Sequence, residues 1–296
     1  MKISGFTIAR NARLYDYPLE ESLRSMLPLV DELHIAVGDC DDGTWELVQE
    51  LKDPKIKAFR TVWDPALREG GLILSQQSNL ALQRCGGDWA LYLQADEVLH
   101  EASLERLRAQ LLAHLDDGTE GLWFDYLHFY GAFNVVQDHP LKWYRRAIRA
   151  VRLGKGIESW GDAMGFLGRD AQGRLRRDLK AVASGVAIFH YGHARPPRVM
   201  LAKTKNLDSL YHDDAWVNKR FSDEQKKLAD FYDERGNLRL FTGTHPAVMA
   251  RRVAAQDWVF EHGIDKQLPR GLRIALIYLR TPFVRHWNSL KKRLGF

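Results

Sequence analysis

The sequence predicts an α/β fold, with a mostly parallel sheet flanked by helices. Three observations predict it. Short strand-like runs alternate with amphipathic helical stretches through residues 1–115, the order that parallel strands with crossover helices require. The run from Trp89 to Leu93 is apolar throughout, as a strand buried on both faces must be. Charged residues collect directly after the runs, and open parallel sheets place their ligand crevice beyond the carboxyl ends of their strands.

The elements follow in order. KISGFTIA (2–9) reads as the first strand and ends at Arg10 and Asn11. Pro18 opens a helix whose stripe is Leu19, Leu23, Met26 and Leu27. ELHIAV (32–37) is a second strand, followed by an acidic turn from Gly38 to Gly43 and a helix over 44–52. KIKAFRTV (55–62) is a third strand, and a loop with Gly70 and Gly71 leads to a helix over 75–85. WALYL (89–93) is the fourth, and 101–115 carries the leucine stripe of a helix. Beyond it, 121–131 and 184–197 read as strands, 142–153 as a basic, aromatic, strand-like stretch, and 199–212 and 222–235 as helices. We expect one domain over 1–262, in two halves (1–115 and 116–262), and a basic amphipathic helical segment over 263–296.

Composition narrows the classes. The chain has 296 residues, of which 45% are hydrophobic and 27% charged, enough for one large core and unlike a disordered chain. Its two cysteines make no disulfide framework and have no zinc-site spacing, and its first residues lack a signal-peptide core, so a cytoplasmic protein is expected. Residues 266–296 hold eight Lys/Arg and no acid, so the +5 of the whole chain becomes −3 once these eight are set aside. Basic character belongs to the tail, which excludes a nucleic-acid footprint over the domain.

Two acidic clusters stand at strand ends. In GGDWALYLQADE (86–97) an apolar run delivers Asp96 and Glu97 to its own carboxyl end. A divalent ion in a phosphate site needs only one or two such carboxylates, while an acidic helix start would use them equally well. In VGDCDDGTWELV (37–48) an aspartate such as Asp39 or Asp42 could accept from a ribose or base, or Asp42 and Thr44 could cap the next helix.

TIARN (7–11), GDCDDGT (38–44), the helix with Asn79 and GGDWALYLQADE together resemble the nucleotide-binding half of family 2 glycosyltransferases, over roughly residues 1–100. The resemblance implies a GT-A-like, Rossmann-type fold. It implies a nucleotide-sugar donor, Mg2+ or Mn2+, and transfer to a hydroxyl of a glycan or lipid-linked acceptor, as in the synthesis of bacterial surface polysaccharide. Arg10, Asn11, Asp39, Asp42 and Asn79 fall at its donor-binding positions, and Asp96 at the metal position, with Glu97 beside it. The sequence departs from the pattern at Gln94, where the family has the first Asp of its metal motif, and at Ser78, where an Arg often precedes the helix Asn.

The second half then supplies the rest. A catalytic base is expected in GIESWGDAMGF (156–166), at Asp162 by preference and otherwise at Glu158. IFHYGH (188–193) resembles a segment that closes the metal site, so His190 is the third metal candidate, while Arg195 and Lys203 follow closely enough to neutralise phosphate. The apolar and cationic tail is too short in its uninterrupted runs to span a bilayer and suits an anionic membrane surface on the cytosolic side, or packing on the domain. Two other readings stay open: a non-catalytic nucleotide- or glycan-binding homologue, which Gln94 favours, and a sugar-phosphate nucleotidyltransferase, which the missing glycine-rich phosphate loop disfavours.

Overall fold

The structure, a computed structural model, describes residues 1–229, 232 and 237–279. Residues 280–296, the greater part of the basic tail, lie outside the described residues.

The chain begins as expected. β1 (Ile3–Ala9), α1 (Leu19–Met26), β2 (Glu32–Val37), α2 (Thr44–Glu50), β3 (Ile56–Arg60), α3 (Leu72–Leu82), β4 (Trp89–Tyr92), β5 (Glu97–Leu99) and α4 (Leu104–Ala113) form the amino-terminal half. β1 pairs in parallel with β2 on one side and β4 on the other, and β3 extends the sheet beyond β2. From β1 the chain therefore winds outward through β2 and β3, then returns to the opposite flank at β4. That reversal is a topological switch point, where diverging crossovers leave a crevice beyond the strand ends.

The period-2 alternation of buried strands builds two cores. Trp89, Leu91 and Leu93 pack with Leu19, Leu23 and Met26 of α1 and with Leu107 and Leu111 of α4. Ala90 and Tyr92 point to the other face, against Ile73, Ala81 and Leu82 of α3. α3 starts at Leu72 rather than 75, because Gly71 takes φ 69°, a left-handed conformation open to glycine, and turns the chain into the helix.

The carboxyl half extends the same sheet with β6 (Gly121–Tyr130), β7 (Ala132–Gln137) and β8 (Arg146–Arg152), and adds a separate three-stranded sheet of β9 (Ile157–Trp160), β10 (Gly165–Arg169) and β11 (Leu175–Arg177). β12 (Ala181–His193) follows, then α5 (Pro197–Ser209), α6 (Asp214–Arg220), α7 (Glu224–Ala229), β13 (Leu238–Leu240) and α8 (Ala250–Ala254). β8 runs antiparallel to β4 and β6, so the parallel sheet of the first half becomes mixed here. β12 runs parallel to β6 and antiparallel to β5, which sets His190 beside Glu97 in register. The sequence reading had no β5, β7, β13 or small sheet; these strands are short or glycine-rich and carry little periodicity.

No described helix is long and apolar enough to cross a membrane. Residues 270–279 are helical. Two of the tail's cations face the domain there: Arg270 pairs with Asp138, and Arg273 donates to the Leu238 carbonyl. Leu272, Tyr278 and Leu279 of the same helix are exposed.

Candidate active site

A cavity of about 260 Å³ opens at the switch point, lined by Ala9 at the end of β1, by Arg10 just beyond it, and by Gln94, Ala95 and Asp96 beyond β4. His190 and His193 of β12, Lys203 of α5 and Asp162 from the β9–β10 turn reach the same cavity. Five of the residues singled out in the sequence thus meet in one place: Arg10, Asp96, Asp162, His190 and Lys203.

Asp96 is 5% exposed and Lys203 is 7% exposed. Lys203 Nζ donates to Asp96 Oδ2 at 2.8 Å and to the Gly192 carbonyl at 2.8 Å, and lies 4.7 Å from the centre of the Tyr17 ring. Arg195, 1% exposed, donates to the Tyr191 and Gly192 carbonyls and to that of Asp16. Its Nη2 is buried and has no partner among the described residues. Burial opposes the Asp96 charge, but the Lys203 and Arg195 cations hold its carboxyl far below the usual range. Burial in turn pushes the Lys203 ammonium down, with Asp96 opposing that fall. Two cations against one carboxylate leave this buried cluster with a net positive charge, the setting an anion needs.

The histidines stay neutral. Burial lowers His190 well below its ordinary value and His193 to about 3. Their tautomers follow from the bonds around them. His128 Nε2 faces the Tyr144 carbonyl at 2.7 Å and must donate to it, so its Nδ1 accepts from His190 Nδ1 at 2.8 Å. His190 Nε2 is then left as an acceptor, 3.6 Å from Asp96 Oδ1. Gly192 makes this packing possible. A Cβ there would meet His190 Cε1 and Nε2 at 2.5 Å and Asp96 Oδ2 at 3.1 Å.

Asp162 sits on the turn between β9 and β10. Its Oδ2 accepts from the Tyr211 hydroxyl at 3.1 Å and its Oδ1 from the Met164 N–H at 3.3 Å. A carboxylate has about four lone-pair positions, so capacity remains for a proton from the cavity. Gly71 packs against this pair, with Tyr211 Cζ 2.9 Å and Asp162 Cβ 3.0 Å from where its Cβ would lie.

The remaining sequence-predicted residues do other work. Glu97 is not a metal ligand in this arrangement: it is fully buried, its two oxygens taken by Arg149, and Tyr126 and the Gln94 N–H add further donors. Asn79 does not face the cavity; it makes a two-bond clasp on Ser159, donating to its carbonyl and accepting from its N–H, and so ties the small sheet to α3. Glu158 pairs with Arg169 on that sheet and is not among the residues that line the cavity. Asp42 accepts from the Leu14 and Thr44 N–H groups and so ties the turn to the loop after β1, while the cap position of α2 is Gly43; burial opposes its charge, but these bonds hold its carboxyl below its ordinary range. Asp39 accepts from the Trp63 N–H and pairs with Arg10, so it acts on the cavity through Arg10. Asn11 takes φ 52° in the loop after β1 and is not among the lining residues, and Arg195 stands behind the lining rather than in it.

Several lining residues escaped the sequence reading: Tyr17, Trp63, Tyr92, Tyr144 and Tyr211. They lie on loops and at the end of β4, scattered from the first loop to the turn after α5, with no shared spacing to expose them. Only the run of polar residues after each strand was a signal, and Trp63, directly after the expected strand 55–62, is not polar.

Mg2+ and Mn2+ take mainly oxygen ligands, several of them, and the residues here offer too few: only Asp96 Oδ1 and the His190 Nε2 lone pair, 3.6 Å apart, remain open. Asp96 Oδ2 already holds the Lys203 ammonium, and an ion at bonding distance from that oxygen would face this like charge directly. Glu97 is consumed by Arg149, and residue 94 is a glutamine. Among the described residues, no group of three or more His, Cys, Asp or Glu could hold a metal ion.

No family model matches the chain, and no curated protein matches it by sequence. Solved structures do. TarS 1–349 from S. aureus in complex with UDP is 14% identical, with 80% of this chain and 79% of that chain covered and a TM-score of 0.43. The longer S. aureus TarS chain is 13% identical, with 80% of this chain but only 45% of that one covered and a TM-score of 0.38. Glucosyl-3-phosphoglycerate synthase from Mycobacterium tuberculosis, in complex with Mn2+, UDP and phosphoglyceric acid, is 21% identical over 43% of each chain, with a TM-score of 0.30. The chain thus spans under half the length of the longer TarS and of the synthase. At these scores the likenesses carry no argument of their own, and the chemistry of the site rests on this chain's residues.

Proposed function

We propose that this protein is an inverting glycosyltransferase of GT-A type, moving a sugar from a nucleotide-sugar donor to a hydroxyl of a glycan or lipid-linked acceptor. One observation carries the reading: a cavity at the switch point of the sheet joins a buried cationic wall, Lys203 with Arg195 behind it, to a carboxylate with free capacity, Asp162. Such a cavity holds both ends of a group transfer from a diphosphate.

In this reading the diphosphate lies against Lys203 and Arg10, and Trp63 and the tyrosines offer faces to the base and sugar. The acceptor hydroxyl oxygen attacks the anomeric carbon while the bond from that carbon to the diphosphate oxygen breaks on the opposite face. The hydroxyl proton passes to Asp162, a contribution of about 10²–10⁴ in rate. The leaving diphosphate gains negative charge where the buried cations already stand, so little reorganisation is needed. The basic tail, with its exposed Leu272, Tyr278 and Leu279, would hold the enzyme at an anionic membrane surface near a lipid-linked acceptor of surface-polysaccharide synthesis.

The test needs no acceptor. UDP-, GDP-, CMP- and TDP-sugars are screened for slow hydrolysis by the full chain. Turnover of one base class is expected; no turnover of any donor sinks the enzyme. The ion-paired state of Asp96 and the presence of Gln94 favour one competing reading, a non-catalytic binder, which would bind a nucleoside diphosphate and hydrolyse no donor.

A further inference from the structure

The residues that should hold a divalent ion hold an ammonium instead. Lys203 Nζ stands 2.8 Å from Asp96 Oδ2, inside the cavity lining, with the Gly192 carbonyl as its second acceptor. Its third N–H has no hydrogen-bond acceptor among the described residues and so remains for a ligand. Arg195 shares the Gly192 carbonyl with Lys203, at 2.6 Å from its Nη1, and keeps a buried, unpartnered Nη2. His193 Nδ1 is likewise buried without a partner among the described residues. Buried polar nitrogens without partners, the Arg195 N–H above all, are costly unless a ligand or water satisfies them.

We infer that Lys203, clamped by Asp96 and Gly192 and backed by Arg195, takes the place of the divalent cation, so that this enzyme binds and cleaves its donor without metal. The inference deepens the proposed function and rests on it. Asp96 changes role accordingly: it positions the ammonium rather than coordinating an ion. The strand end that carries it is rigid and buried, which fixes the cation where charge appears on the leaving diphosphate. Gln94 falls into place as well. A second carboxylate there would compete for Lys203 and cancel the net positive charge of the cluster.

The experiment measures binding of UDP, GDP, CDP and TDP to the full chain by calorimetry, in EDTA and in Mn2+, alongside hydrolysis of the matching donor. Binding and hydrolysis in EDTA within about threefold of those in Mn2+ are expected, since the protein's own charge-assisted bonds hold the diphosphate. Binding or hydrolysis that needs Mn2+ overturns the inference and leaves the glycosyltransferase reading standing. Failure of every diphosphate to bind in either condition overturns the proposed function itself, and the inference with it. Lys203→Met keeps the volume and removes the charge. It should lose at least about tenfold in affinity in EDTA and regain part of it with Mn2+, because Asp96 is then unpaired. Wild-type affinity in EDTA from Lys203→Met also overturns the inference. Should Lys203→Met not fold, Lys203→Arg, which keeps the charge, should retain metal-free binding, and the wild-type comparison stands without any variant.

Discussion

Arg149 binds the two halves of the site to each other through Glu97. Its Nη2 lies 2.8 Å from Glu97 Oε1 and its Nε 2.9 Å from Oε2, with both side chains at 0% exposure. Its Nη1 donates to the Met164 carbonyl at 2.9 Å. Glu97 adjoins Asp96, and Met164 lies two residues past Asp162. One guanidinium therefore sets the spacing between the cationic clamp and the base.

Removing one member of a fully buried ion pair leaves the other charge without compensation, at a cost of about 3–5 kcal/mol. Arg149→Met should show that loss in urea denaturation, and its donor turnover should fall further than its diphosphate affinity. A loss below about 1 kcal/mol would mean that the pair does not hold these strands together.

Gly192→Ala tests the closeness of the packing around His190 and Asp96. The added methyl carbon would lie 2.5 Å from the His190 ring and 3.1 Å from Asp96 Oδ2, so the ring or the carboxylate must move. Overpacking of this kind costs about 1–3 kcal/mol. The expected readout is a weaker nucleoside diphosphate Kd with a cooperative melt retained. An unchanged Kd would show that the clamp tolerates displacement.

Acid stability should follow Glu32. Burial works against its charge, but Lys57, Ser4, the Gly86 N–H and Lys2 hold its carboxyl well below the ordinary value of about 4.5. Its folded pKa is therefore below its unfolded one. The stabilisation is present above the unfolded value and is lost as pH falls below it. Glu32→Gln should cost about 1–3 kcal/mol at pH 7, and the gap to wild type should narrow steadily below about pH 4.5. A gap that does not change with pH would assign the loss to packing.

Truncation after Leu279 removes Arg280, Arg285, Lys291, Lys292 and Arg293. Each cation near anionic lipid contributes about 1 kcal/mol, so sedimentation with anionic vesicles should fall sharply and show the salt dependence of an electrostatic contact in the intact chain. Equal sedimentation of the truncated chain would end the membrane reading.

Much of this was legible in the sequence because it follows from local rules. The apolar run at Trp89–Leu93 and the alternation before it fixed the sheet, and strand ends at Arg10 and Asp96 had to converge on a switch point. What was not legible is pairing across the fold. Nothing near Glu97 announces Arg149, 52 residues on. Nor does α5 show that Lys203 returns 107 residues to Asp96. Asn79 and Asp42 were placed at donor positions by their motif, yet their polar groups are satisfied by Ser159 and by Leu14 and Thr44. A side chain that can bond backbone or ligand reads the same in one dimension.

The base is the claim on which the enzyme depends, and donor turnover by Asp162→Asn tests it most directly. Wild type and variant are compared at matched saturation with the donor that the screen identifies, with nucleoside diphosphate binding measured on the same samples. The account predicts a fall in transfer of about 10²–10⁴ while the diphosphate still binds. Undiminished transfer by Asp162→Asn would contradict it.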